Sequence, residues 1–103
     1  MVSLTFFLST SIYAQEQQNY HIPTPEDANI FAEFTDELPA VINYYTKQNE
    51  QQIIDFYQAK YGQAISSEMK KGRLTLHFNY EDKDLRVIIS KQGNSQQVDI
   101  LLQ

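Results

Sequence analysis

The chain has 103 residues, 42% of them hydrophobic and 20% charged, which suffices for one small folded domain and excludes both a second core and wholesale disorder. A net charge of -5 and an isoelectric point near 4.8 argue against nucleic acid, whose phosphates select clustered Lys and Arg. Cysteine is absent, so disulfides, thiolate metal sites, a Cys nucleophile and a lipid anchor on an N-terminal Cys are all excluded.

The opening stretch MVSLTFFLSTSIYA carries a mostly apolar run from Val2 to Leu8, small polar residues, and Ala14 before the polar QEQQN. That pattern predicts an export signal over residues 1–14, cleaved after Ala14 and too short for a bilayer span, which takes ~20 apolar residues. No Lys or Arg precedes the apolar run, and Ile12 rather than a small residue stands at the -3 position. A buried N-terminal strand is therefore the competing reading. Export would place the protein in the periplasm or outside the cell, with no membrane anchor.

Residues 15–24, QEQQNYHIPT, are polar and without period, and read as a flexible leader to a single domain over residues 25–103. Thr24-Pro25-Glu26-Asp27 combines a capping hydroxyl, a proline suited to the first helical position and two first-turn carboxylates. A short N-terminal helix over residues 25–34 is expected, with Ala28, Phe31 and Phe34 near one side. AVINYYT, Ala40–Thr46, has the β-branched and aromatic content of a strand.

Asn49 with Gln52 three residues on forms a capping-box pair, and Gly62 suits the left-handed residue that closes a helix. Between them, IIDFYQAKYG places Ile53, Ile54, Tyr57 and Tyr61 within a ~100° arc, with Phe56 at its margin. Its three aromatic rings read as core rather than as a ligand platform.

From Gln63 the period changes to two. A weak strand over residues 64–70, a turn at Gly72, RLTLHFNY, and strands over 85–91 and 96–102 follow. Two-residue turns at Asp82-Lys83 and Gly93-Asn94 would align three apolar rows: Leu76 with Ile89 and Val98, Phe78 with Val87 and Ile100, Tyr80 with Leu85 and Leu102. The expected fold is α+β, one main helix on a four- to five-stranded antiparallel sheet in the order β-α-β-β-β-β, after the short N-terminal helix. By analogy of topology the order resembles the cystatin-like or helix-grip arrangement.

YYTKQNEQQIIDFYQAKYG followed by GRLTLHF is also similar to a loose class of small exported bacterial proteins of unknown function, in which a strand, a capped helix ending in Phe-Tyr and a β meander succeed one another. The matching residues are Asn49, Ile54, Phe56, Tyr57 and Gly62, over residues 41–102. The resemblance implies an exported α+β domain and carries over no catalytic residue.

His77, Ser90 and Asp99 fall on the outer face of the meander, but the expected register sets His77 and Asp99 on opposite sides of Ile88, ~10 Å apart. A triad needs His between its partners at hydrogen-bond distance. His21 is the only other histidine, and the acidic runs at 26–27, 36–37 and 81–84 lack the oxygen spacing of a calcium loop. No catalytic group, metal or cofactor is expected.

Residues 15–46 carry six acidic side chains and no basic one, whereas 56–103 carry seven basic against five acidic, with Lys70, Lys71 and Arg73 as the only basic cluster. Either the acidic segment folds against that cluster, or it is an arm presented to a basic partner. Residues 98–102 are expected as an edge strand with Leu101 beside Ile88 and Arg86. Such an edge can pair with a second copy or an added peptide strand, unless the N-terminal segment or first strand covers it. Arg73, His77, Arg86, Ile88 and Leu101 are the expected partner contacts.

These expectations add up to a small non-enzymatic periplasmic or secreted binding or accessory protein, its partner another envelope or secreted protein. The alternative is an inhibitor or immunity-type protein acting on a secreted or periplasmic enzyme, although QQVDI at residues 96–100 lacks the glycine of the cystatin inhibitors. A glycan binder using Tyr44 or Tyr45 is a third reading.

Overall fold

Alternating apolar and polar residues over most of the chain dictate strands, and a single 3.6-period stretch dictates one helix. The structure, a computed structural model, describes residues 19–103; the expected export signal lies outside them. In chain order the elements are β1 (Asn29–Phe34), β2 (Ala40–Thr46), α1 (Glu50–Tyr61), β3 (Ser66–Lys70), β4 (Arg73–Tyr80), β5 (Lys83–Gln92) and β6 (Ser95–Leu102). The fold is α+β, with one helix and a six-stranded sheet in the order β1-β2-β6-β5-β4-β3, each neighbouring pair antiparallel. Among the described residues no helix is long and apolar enough to cross a membrane.

The helix forms as its sequence dictates. Asn49 Oδ1 accepts from the Gln52 N–H and Gln52 Oε1 accepts from the Asn49 N–H, both at 2.8 Å. Gly62 closes it at φ +85, its N–H donating to the Gln58 carbonyl, a conformation that only glycine adopts without cost. Ile53 and Tyr57 are fully buried, and Ile54, Phe56 and Tyr61 pack against the core. Tyr61 lies 6.0 Å from the Phe78 ring and 5.7 Å from Tyr80, while the Lys60 ammonium covers Phe56. The rings of IIDFYQAKYG are thus core.

Residues 25–34 make a turn and then strand β1, not the expected short helix. The Ala28 N–H donates to the Pro25 carbonyl, and the Asp27 carboxylate, instead of starting a helix, accepts from the Thr46 hydroxyl at 2.8 Å and the Lys47 N–H at 3.0 Å. Those bonds tie the turn to the end of β2. A ten-residue helix is marginal by itself, whereas NIFAEF as a strand satisfies the outer backbone groups of β2. The sheet therefore has six strands rather than four or five. A bulge between Ile30 and Ala32 accompanies the stacking of Phe31 on Tyr45 at 4.7 Å.

The described part of the expected leader is also structured. Ile22 is only 8% exposed, the Tyr20 N–H donates to the Thr35 carbonyl, and the Tyr80 hydroxyl donates to the His21 carbonyl. The Tyr57 hydroxyl donates to the Pro23 carbonyl at 2.9 Å, so the Tyr44 hydroxyl, 3.0 Å from Tyr57 Oη, must donate to it. Burial pushes both phenols well above their ordinary range and raises Tyr61 to about 12, with Tyr80 and Glu81 adding to the Tyr61 shift.

The β5–β6 hairpin turns at Gly93-Asn94 as expected, with Gln92 opposite Ser95 and Gly93 at φ +63. The β4–β5 hairpin turns one residue earlier than expected, at Glu81-Asp82, which take φ +50 and +71. Two successive left-handed residues are the type I′ geometry that matches strand twist. The pairing shifts by two residues, and a two-residue shift keeps every side chain on its face. The inner rows become Leu74, Ile89, Val98 and Tyr44; Leu76, Val87, Ile100 and Ile42; and Phe78, Leu85, Leu102 and Ala40.

Strand β6 is central, not an edge: β2 pairs along its whole length on the side away from β5, with Val41 opposite Leu101. Among the described residues the unpaired edges belong to β1 and β3. The acidic segment and the basic cluster consequently lie on opposite sides of the sheet, five strand spacings or ~24 Å apart, and do not pack together.

Candidate binding face of the sheet

The inner face of β2, β4, β5 and β6 is buried beneath α1 and residues 20–25. Among the described residues no element covers the other face, and the residues pointing there come from all six strands. One row runs Ser66, His77, Arg86, Leu101, Val41, Phe34; the next runs Glu68, Thr75, Ile88, Asp99, Asn43, Ala32. A third contains Lys70, Arg73, Ser90, Gln97 and Tyr45. His77, Arg86 and Leu101, each expected as a partner contact, therefore stand side by side, with Ile88 in the adjoining row and Arg73 one row further. Val41, Ile88 and Leu101 are half-buried, whereas Tyr45, Phe31 and Phe34 are exposed.

The polar groups of this face are mostly paired with one another. Asp99 Oδ1 accepts from Asn43 Nδ2 at 2.7 Å and from Gln97 Nε2 at 2.9 Å, bridging three residues of β2 and β6. His77 Nδ1 lies 2.9 Å from Asp84 Oδ1, and Arg86 Nη2 lies 4.0 Å from Asp84 Oδ2. All three side chains of that group are about one-third exposed, so each contact contributes ~1 kcal/mol or less to stability. The Arg86 Nε is buried without a partner, which leaves one donor on the face unused.

The three residues of the candidate triad are spread over this face. His77 stands opposite Arg86, and Ser90 stands opposite Arg73 and Gln97; four residues along β5 separate those positions, ~13 Å. Asp99 is opposite Ile88 and occupied by Asn43 and Gln97. His77, Ser90 and Asp99 are not brought together. Among the described residues no group of three or more metal-ligating side chains is assembled.

Charge is segregated along the strands. One end of the sheet gathers Lys70, Lys71 and Arg73 at the β3–β4 turn with Lys91 on β5; Lys71, Arg73 and Lys91 line a depression with Ser90, Gln97 and Asp99, and Lys70, Lys71 and Arg73 line a second with Glu68 and Thr75. The other end carries Asp36, Glu37, Glu81, Asp82 and Asp84. Asp27, at the basic end, is held below the ordinary carboxylate range, chiefly by the Lys47 N–H and then by the Thr46 hydroxyl.

Sequence reasoning missed the contribution of β1 and β2 to this face. Val41, Asn43 and Tyr45 alternate with buried Ile42 and Tyr44 in AVINYYT, so the two-residue period already separated them; their neighbour β6 was the missing information. Phe31 and Phe34 were hidden by the helix reading. Tyr44, a candidate glycan contact, is fully buried, and only Tyr45 faces solvent. No protein-family model, curated protein sequence or solved structure matches this chain.

Proposed function

We propose that the protein is a small non-enzymatic binding or accessory module that docks a partner protein on the open face of its sheet. One observation carries this reading: six strands present a face with no covering element among the described residues, and Val41, Ile88 and Leu101 form its apolar centre. An apolar centre ringed by polar groups is the usual anatomy of a protein interface. Arg73, His77 and Arg86 supply a cationic flank beside it. The signal-like pattern of residues 1–14 supports a periplasmic or secreted location, with another envelope or secreted protein as partner.

Affinity capture of the tagged chain from native envelope extract after mild crosslinking tests the proposal. One specific protein is expected with the wild-type chain and none with Ile88→Lys combined with Leu101→Lys, while circular dichroism of the variant stays native. Recovery of the same proteins by both chains would end the proposal. An inhibitor or immunity-type role is the second reading. It is supported by the chain order β2-α1-β3-β4-β5-β6, which resembles the cystatin-like order by analogy only, and by the acidic end of the sheet. In that case the captured protein is an enzyme that loses activity at one equivalent.

A further inference from the structure

Among the described residues β1 pairs only with β2 and β3 only with β4, so each presents a row of backbone N–H and C=O groups that another strand can satisfy. The large hydrophobic residues that remain exposed gather at these two sides. Ile30, Phe31 and Phe34 lie on β1, Leu38 follows it and Tyr45 stacks on Phe31, while Ile65 and Met69 lie beside or on β3. None lies on β4, β5 or β6. Sheets ordinarily protect an edge with cations or proline, and β1 has neither.

The two sides are opposite in charge. Residues 26–38, which hold β1 and its flanks, carry five carboxylates and no cation. Strand β3 and its turn carry Lys70, Lys71 and Arg73 against Glu68. Pairing β1 with β1 would set five carboxylates of each copy against five of the other, and pairing β3 with β3 would oppose two cationic turns. Pairing β1 with β3 opposes unlike charges and covers both sets of exposed apolar side chains.

We infer that strand β1 of one copy adds to strand β3 of a second copy, joining two sheets edge to edge. The contact is heterologous, using a different side of each copy, so every added copy leaves one β1 and one β3 free. Strands of six and five residues, one of them bulged, form few ladder bonds. Association is accordingly concentration-dependent and weakened by salt, because screening at 0.1 M confines exposed charges to ~10 Å. The inference does not rest on the open face, and Leu101→Lys leaves it unchanged.

Light scattering on the chain lacking residues 1–14, which keeps every described residue, tests it. At low salt the mean mass is expected to rise with concentration to about double that of one copy or beyond, as head-to-tail pairing proceeds, and to fall when salt is added. Reversing the charge of one side, by Lys70→Glu with Lys71→Glu or by Glu33→Lys with Asp36→Lys and Glu37→Lys, leaves each variant monomeric by itself. All five residues are exposed, and circular dichroism checks that each variant is folded. Mixing the two variants restores association, since each then meets a side of opposite charge. A constant single-copy mass at every concentration and salt, assembly of either variant alone, or failure of the mixture to associate overturns the inference.

Discussion

The two faces of one sheet have been treated oppositely. On the inner face, four-residue rows cross β4, β5, β6 and β2, and every member is nearly or fully buried under α1 and residues 20–25. On the outer face the same strands carry Thr75, Ile88, Asp99 and Asn43, or Arg86, Leu101 and Val41, all only half-buried. The inner rows contain no charged side chain; the outer rows interleave charges, amides and aliphatics. Apolar burial is thus concentrated on one face. An uncovered surface that is apolar at its centre is where recognition can be built.

Mutation can break this comparison most severely at Phe78, which is fully buried and touches the rings of Tyr57 and Tyr61. Phe78→Ala is expected to cost ~3–5 kcal/mol in urea unfolding, from lost transfer and the cavity left behind. Ile88→Ala, on the open face three residues along β5 from the Phe78 partner Leu85, should cost under ~1.5 kcal/mol, because its side chain is already partly in water. Equal losses at the two positions would mean that the outer face is covered in solution.

The buried hydroxyl chain is the next most sensitive point. Tyr57→Phe leaves the Pro23 carbonyl without its donor and the Tyr44 hydroxyl without its acceptor, with an expected loss of ~1–3 kcal/mol. Tyr44, Tyr57, Tyr61 and Tyr80 all hold their protons more tightly than free tyrosine, mainly through burial. Above pH 10 the unfolded chain releases phenolic protons that the folded chain retains, so stability falls as pH rises from 10 towards about 12, where Tyr61 titrates. Ultraviolet absorbance of tyrosinate and circular dichroism should therefore change together in this range for these residues. At the helix, Asn49→Ala removes the acceptor for the Gln52 N–H and should cost ~1 kcal/mol.

How much of this was legible in the chain depended on the range of the interaction. The Asn49 cap, the Gly62 stop and the Ile53 and Tyr57 stripe are local, and sequence displayed them directly. The inward and outward parity of β4, β5 and β6 was legible because it depends only on a two-residue period. The β4–β5 register was not, since EDKD admits two turns that differ by two residues in pairing and not at all in parity. Residues 25–34 match a helix start in every local respect; what makes them a strand is the free side of β2, distant from them in sequence terms and tied through Asp27 to Thr46. The central place of β6 follows from its pairing with β2, over fifty residues away at Asn43 and Asp99. Of the candidate face, His77, Arg86, Ile88 and Leu101 could be placed by parity, whereas Val41, Asn43 and Tyr45 needed that long-range pairing.

The smallest expected effect concerns how β1 is attached. Asp27 is exposed, yet its carboxylate accepts from the Lys47 N–H and the Thr46 hydroxyl, and these bonds hold its titration below the ordinary value of 3.8. Its charged form is favoured in the folded chain, so the contribution is present above pH 3.8 and is lost as pH falls through the lowered folded value. Asp27→Ala should therefore cost about 1 kcal/mol or less at neutral pH, the scale of a solvent-screened hydrogen bond. The gap between wild type and variant should close well below pH 3.8. Hydrogen exchange adds the structural half of the test: in Asp27→Ala the amides of β1 should lose protection while those of β5 and β6 keep theirs. Uniform loss across all strands would mean that β1 belongs to the same cooperative unit as the central sheet and is not a separately tethered edge.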